Sequence, residues 1–312
     1  MEIFAKTTDF CIHDETAVAI GKFDGIHVGH RRLIQEILDQ KKNGRRACIF
    51  TFDPPPSVFF GKNEEKELTT RDEKRKIFEY LGIDILVEFP LNIETASIPP
   101  RMFVQDVLCK KLNASYVAAG EDLSFGKGGA GNVVLLQDMA DECGIDVKII
   151  KKLQIDGKEV SSTLVREAVE HGSMSYAESL LGMPYTISGI VQHGNHIGHT
   201  LGVPTLNLIP PKNKLLPPNG VYFSRVLLDG KWYQGVSNIG FRPTVNEENK
   251  VLGLETYLYD FNMDAYGKEI EVCLLTFKRN EQKFTNLNHL KNQLREDLEA
   301  GAVYFQSSQT FV

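Results

Sequence analysis

The stretch Ala17-Val-Ala-Ile-Gly-Lys-Phe-Asp-Gly-Ile-His-Val-Gly-His30 decides how this chain reads. Ala17 to Ile20 is an unbroken apolar run that stops at a glycine, which predicts a buried strand. The chain breaks at Gly21, passes Asp24 and Gly25, and enters a predicted helix at about Val28, with Leu33, Ile34 and Ile37 on one face. His27 and His30 therefore stand at a strand-to-helix turn. The free N–H groups of a helix start point there, and the helix dipole favours an anion. Three residues apart, both imidazoles can face one ligand. Backbone amides, paired imidazoles and the glycines Gly21, Gly25 and Gly29 suit a phosphate that gains charge during reaction. A metal is the lesser reading, because no third ligand lies nearby and no His-Glu-x-x-His pattern is present.

Outward from this turn, the first half alternates strand and helix signals. Strands are expected over 47–52, 84–89, 115–119 and 146–150. Helices are expected over 71–81, over 100–112 with Pro100 at its start, and over 135–143. Short apolar strands between amphipathic helices imply an α/β, Rossmann-like parallel sheet covered on both faces. Ligands of such sheets sit beyond the carboxyl ends of the strands, where His27 and His30 fall. The period changes after Leu181-Gly-Met-Pro184. Val221 to Leu228 and Lys231 to Val236 form a predicted hairpin around Asp229-Gly230. Further strands are expected over 254–261 and 269–277, and a terminal helix over 287–304. Short strands closed by one helix suggest a small antiparallel β-barrel. The expected domains are therefore 1–182 and 183–312.

Composition bounds the partners. The chain has 312 residues and a formal net charge of −6, with acids and bases intermixed, and it lacks the basic stripe of a general nucleic-acid binder. Its five cysteines are scattered, odd in number and without a C-x-x-C pair, which reads as reduced thiols in a cytoplasmic protein. No apolar run approaches the ~20 residues that span a bilayer, and the first residues do not read as a signal peptide. Oligomeric state is not legible.

Four other segments carry chemistry. Ser161-Ser-Thr-Leu-Val-Arg166 opens a helix with three hydroxyls, Ser161, Ser162 and Thr163, and a guanidinium one turn further in: either an oxyanion cradle or an ordinary N-cap. Gly120 to Gly131 contains Gly126, Gly128 and Gly131 in G-x-G-x-x-G spacing, but too far from the preceding strand for a dinucleotide fingerprint. In Gly198-His-Thr-Leu-Gly-Val-Pro-Thr-Leu-Asn207, Thr205 and Asn207 lie two apart on an extended chain and face one way. A hydroxyl and an amide oxygen are suitable ligands for Mg²⁺, which takes few protein groups and leaves room for phosphates, although by itself the segment reads more simply as a β-bulge with hydrogen-bonding polar residues. Glu255 shares a strand face with Tyr257, Tyr259 and Phe261: either a carboxylate partly desolvated by rings, which suits general-base duty, or, the plainer reading, an exposed strand glutamate.

The string G-x-F-D-G-x-H-x-G-H resembles the first signature of the nucleotidylyltransferases. Taken with S-S-T-x-V-R and the G-x-x-x-G-x-P-T-x-N segment, the chain resembles the prokaryotic bifunctional riboflavin kinase/FMN adenylyltransferases, or FAD synthetases. That resemblance implies that Gly21, Phe23, Asp24, Gly25, Gly29, Ser161, Ser162, Thr163, Gly198 and Thr205 bind ATP or its phosphates. His27, His30 and Arg166 would act in adenylyl transfer, and Glu255 would be the kinase base. Asp122, Phe125 and Arg279 would contact flavin, with Leu123 in place of the usual phenylalanine. Thr205 and Asn207 would hold Mg²⁺, with Val203 and Leu206 replacing the usual phenylalanine and alanine. The similar segments Thr51-Phe-Asp-Pro-Pro55 and Asn238-Ile-Gly-Phe-Arg-Pro-Thr244 fit the same family. The substrates implied are riboflavin, FMN and ATP, the product FAD. A single-activity relative with a silent kinase domain is the nearest rival. A cytidylyltransferase, a tRNA synthetase of the same superfamily and a non-catalytic flavin-binding regulator are further alternatives.

Overall fold

Alternation within single strands sets the first unit. The computed structural model describes residues 1–61, 66–193, 203–242 and 251–307. Strands β1 (Glu2–Ala5), β2 (Thr16–Ile20), β3 (Arg46–Asp53), β4 (Ile85–Pro90), β5 (Ala114–Gly120) and β6 (Asp146–Ile150) form one sheet in the order β1-β4-β3-β2-β5-β6. Every pairing in it is parallel. In β2, Val18 and Ile20 join one apolar layer while Ala17 and Ala19 face the other. The small alanines let α1 (Val28–Asp39) lie close, seated by Leu33, Ile34 and Ile37. The opposite face is covered by the helix expected over 100–112, which is an α-helical turn Pro100–Met102 continued by the π-helix Phe103–Lys111, and by the helix Val133–Cys143. The helix expected after residue 70 is α2 (Arg71–Tyr80), whose Thr70 and Glu73 form a capping box.

Strand order reverses at β2, with β3 on one side and β5 on the other. The crevice beyond the carboxyl ends of β2 and β5 is where a doubly wound sheet takes its ligand. Edge strand β1 and the small hairpin β7 (Gln154–Ile155) and β8 (Lys158–Glu159) were not legible as strands: each is short and lacks alternation.

In the second unit, β9 (Tyr185–Gln192), β10 (Thr205–Leu208), β11 (Gly220–Leu228), β12 (Lys231–Arg242), β13 (Val251–Leu258) and β14 (Glu269–Asn280) close into a barrel in the order β10-β13-β12-β11-β14-β9. Closure leaves no free sheet edge. Asp229 and Gly230 both have positive φ, 50° and 75°, as a two-residue hairpin turn requires. The terminal helix Leu287–Ser307 sets Phe305 against Val221, Phe223 and Val236 of the barrel. Among the described residues no helix is long and apolar enough to cross a membrane.

Packing divides the chain into Met1–Leu164 and Val165–Val312, earlier than the expected 182/183 junction. The helix Met174–Leu181 contacts β9 and β14, so it belongs with the barrel although its own period is helical. A change of period marks where strands begin, not where packing changes partner.

Candidate active sites

The turn after β2 is held in an uncommon shape. Phe23 and Ile26 have φ of 51° and 45°, and both side chains are fully buried. Bulky residues in the left-handed region are strained by roughly 1–3 kcal/mol each, which packing must offset. Phe23 lies edge-on to Phe78 and 5.1 Å from the His30 ring. Its side chain is therefore a plug beneath the turn, and only its backbone is left for a phosphate. A side chain at Gly21 would meet that ring at 3.1 Å, and one at Gly29 would meet His27 at 3.2 Å.

His27 caps α1: its Nδ1 accepts the His30 N–H at 3.3 Å. The two imidazoles stack with centroids 3.7 Å apart and planes 16° from parallel. Burial lowers His27 to about 4, although Asp122 nearby pulls the other way. Burial also holds His30 well below its usual range, helped by His27 and Lys74. Both rings are neutral at pH 7. The His30 Nδ1 is buried with no hydrogen-bond partner among the described residues. A buried unpartnered ring nitrogen is costly unless a ligand completes it.

Two expected phosphate motifs meet here. Ser162 Oγ donates to the Asp24 carbonyl at 2.8 Å, across 138 residues of sequence. Ser161 Oγ caps the helix Ser162–Glu170 by accepting the Leu164 N–H at 3.2 Å. Thr163 is exposed, and Arg166 lies one turn further along that helix. Asp24 itself takes a different part from the expected one. Its carboxylate accepts the Leu68 N–H at 2.9 Å and the Thr69 N–H at 3.4 Å, so it fastens the start of α2 to the turn. Gly25 has φ of 85°, a value that glycine adopts without strain.

The loop after β5 separates its two expected flavin contacts. Asp122 is largely exposed and 3.5 Å from Lys152. Phe125 is 3% exposed: its ring packs 5.4 Å from Phe103 and fills the space over Gly131. It is core, so its ring offers no face to a flavin. An aromatic in a glycine-rich loop reads as exposed in sequence and is buried here by the strand-like bridge between Phe125 and Gly131.

In the barrel, register assembles the second site. Asn207 lies directly opposite Glu255, and Thr205 opposite Tyr257. Glu255 lies opposite Asn238 on its other side. Directly opposed residues of antiparallel strands project to the same face with Cβ atoms about 5 Å apart. Asn207, Glu255 and Asn238 thus form one polar row, and Asn238 is a member that the sequence alone did not single out. Asn207 is 7% exposed, and its Nδ2 donates to the Thr205 carbonyl at 3.2 Å, which turns Oδ1 the other way. A hydroxyl and an oriented amide oxygen two residues apart fit a hard divalent cation that keeps most of its shell for phosphate and water. Glu255 is half-buried. Its expected strand company reaches Tyr257, two residues on in β13, whose ring lies 5.4 Å from that of Tyr259. It fails for Phe261, because β13 ends at Leu258, Asp260 has φ of 53°, and Phe261 packs on Tyr233. Gly198 lies outside the described residues.

Arg279 also departs from expectation. Its Nε and Nη2 grip the buried Asp297 carboxylate at 2.9 and 2.6 Å, and Nη1 donates to the Asn280 carbonyl. The fork ties β14 to the terminal helix. Arg279→Ala leaves a buried carboxylate without its cation, so it lowers stability by roughly 3–5 kcal/mol. Urea unfolding followed by the single tryptophan, Trp232 on β12, measures this. The double variant Arg279→Ala/Asp297→Ala is expected to lose less than the single one.

Residues 10–164 match the FAD synthetase family and residues 181–305 match riboflavin kinase. The bifunctional riboflavin kinase/FMN adenylyltransferase of Escherichia coli K12 is 38% identical over 283 residues, covering 90% of each chain. The chain belongs to this bifunctional family. The family member of Bacillus subtilis strain 168 is 33% identical over 300 residues, covering 94% of this chain and 93% of its own. Among solved structures, a Streptococcus pneumoniae protein described as a macrolide-efflux protein superposes with a TM-score of 0.85 at 26% identity, over 96% of this chain and 98% of that one.

Proposed function

We infer that the chain catalyses two consecutive reactions of flavin cofactor synthesis. In the barrel, Glu255 takes the proton of the riboflavin 5′-hydroxyl as its oxygen attacks the γ-phosphorus of ATP. The β–γ anhydride bond breaks and ADP leaves. A magnesium ion bound by Thr205 and Asn207 would supply charge neutralisation on the phosphates. In the first unit, a phosphate oxygen of FMN attacks the α-phosphorus of a second ATP, the α–β anhydride bond breaks, and pyrophosphate leaves with FAD as product. The attacking oxygen is already an anion, so this step needs alignment and charge stabilisation and no base. His27, His30 and Ser162 supply donors there, with Arg166 one turn beyond. The glycines of the turn and the backbone of Phe23 and Asp24 shape it, while Ser161 caps the neighbouring helix. A reducing cytoplasm suits the chain, since all five cysteines are free thiols.

The observation that carries the two-activity reading is the register of β10 on β13. It sets Asn207 against Glu255, so the grip for the metal and the base for the hydroxyl face the same way. That arrangement favours a working kinase over a silent one. Incubation with riboflavin, ATP and Mg²⁺, followed by chromatography of the flavins, tests it. FMN and FAD are both expected, and neither after chelation of the metal. FAD formed only from supplied FMN overturns the kinase half.

A further inference from the structure

Adenylyl transfer builds up negative charge, yet the two imidazoles facing it are neutral. They offer N–H donors but no charge. The guanidinium groups at the carboxyl ends of β3 and β4 are already committed. Arg71 and Arg75 both bind the buried Glu88 carboxylate, and Arg71 also pairs with Asp53 at 3.2 Å. Burial alone pushes Glu88 upward, but hydrogen bonds from Arg75 and Arg71 outweigh it and hold the carboxyl below its ordinary value.

Lys74 is different. Its side chain is only 13% exposed, and its ammonium sits 3.8 Å from Glu67, beyond hydrogen-bond reach. It stands in the first turn of α2, where a cation opposes the helix dipole. A half-buried ammonium in an unfavourable place, with only a distant counter-ion among the described residues, is a local inconsistency of the kind found at functional sites. The start of α2 is fastened to the phosphate turn by Asp24. Lys74 lines a shallow cleft with Thr51, Asp53, Glu67, Phe78 and Glu88. That cleft adjoins the histidine turn: Thr51 Oγ1 donates to the Lys22 carbonyl at 3.4 Å, and Phe78 packs on Phe23, which packs on His30.

We propose that Lys74 is a fixed cation of the adenylyl-transfer site, additional to Arg166, binding a phosphate of ATP, with Glu67 as its counter-ion until the nucleotide arrives. The inference depends on the reading of the His27–His30 turn as that site. The ammonium then meets the phosphates whose charge grows as the α–β anhydride bond breaks.

The test uses the full chain with FMN and ATP. Lys74→Met keeps the apolar stem and removes the charge. It is expected to lower kcat/KM for ATP in FAD formation about thirty-fold, the scale of one charge-assisted hydrogen bond. Inhibition by added inorganic pyrophosphate should weaken in parallel, a readout that a packing role would not move. Lys74→Arg should restore most of the loss. Riboflavin phosphorylation by the same preparation should stay within about twofold and reports folding. If Lys74→Met fails to fold, Lys74→Gln against Lys74→Arg makes the same comparison. Retention of adenylylation within about threefold by Lys74→Met, with His30→Ala inactive, overturns the role of Lys74 alone. An equal loss in Lys74→Arg also overturns it. Unchanged adenylylation in His30→Ala removes the site itself, and this proposal with it.

Discussion

Replacing His30 with alanine is expected to slow formation of FAD from FMN and ATP by about a hundredfold or more, while phosphorylation of riboflavin is unchanged. The size follows from removing one donor aimed at developing phosphate charge in a water-poor site, about 3 kcal/mol of barrier. His30 is the better choice than His27 for this measurement. His27 also caps α1, so its loss mixes about 1 kcal/mol of stability into the result. His30 instead presents a buried Nδ1 that no described protein group completes. Because burial keeps both imidazoles neutral, His27 at about 4, their contribution to the rate should not change as pH falls from 8 to about 6. Steady-state rates of both reactions, with thermal melting of the variant, decide the matter. Wild-type FAD formation at unchanged melting temperature would sink the assignment.

Glu255→Gln is expected to act on the other reaction. The replacement keeps size and hydrogen-bonding shape and removes the basic oxygen. Loss of a positioned general base costs about a hundred- to ten-thousandfold, so phosphorylation of riboflavin should fall by that range. Formation of FAD from supplied FMN should not change, because Glu255 lies in the barrel while His27, His30 and Ser162 lie in the first unit. The two variants form a crossed pair: each silences one product and spares the other. A Glu255→Gln protein that still makes FMN from riboflavin at the original rate would mean that the row Asn207–Glu255–Asn238 is structural.

Much of this fold is written in short-range patterns. Ala17 to Ile20 alternates between two apolar layers, Thr70 with Glu73 announces α2, and Asp229-Gly230 announces its hairpin. Each signal acts within a few residues, so local sterics and hydrogen bonding suffice to read it. The strand-to-helix turn with its histidines belongs to this class. The errors belong to another. Phe125 looked like a loop aromatic and is core. Arg279 looked like a ligand contact and instead holds Asp297, eighteen positions away.

What the sequence determined by itself was which residue types could do chemistry and on which kind of element each would stand. Apolar periodicity, caps and turn residues are properties of neighbours along the chain. Only the tertiary structure decided which of them meet. Ser162 reaches Asp24 because the sheet order brings β2 and the later helix start together. Asn207 faces Glu255 because barrel closure selects one register, and a slip of a single residue would turn either side chain to the opposite face. Long polar side chains take whatever partner burial leaves them, and that partner is set by the packing of segments far apart in sequence.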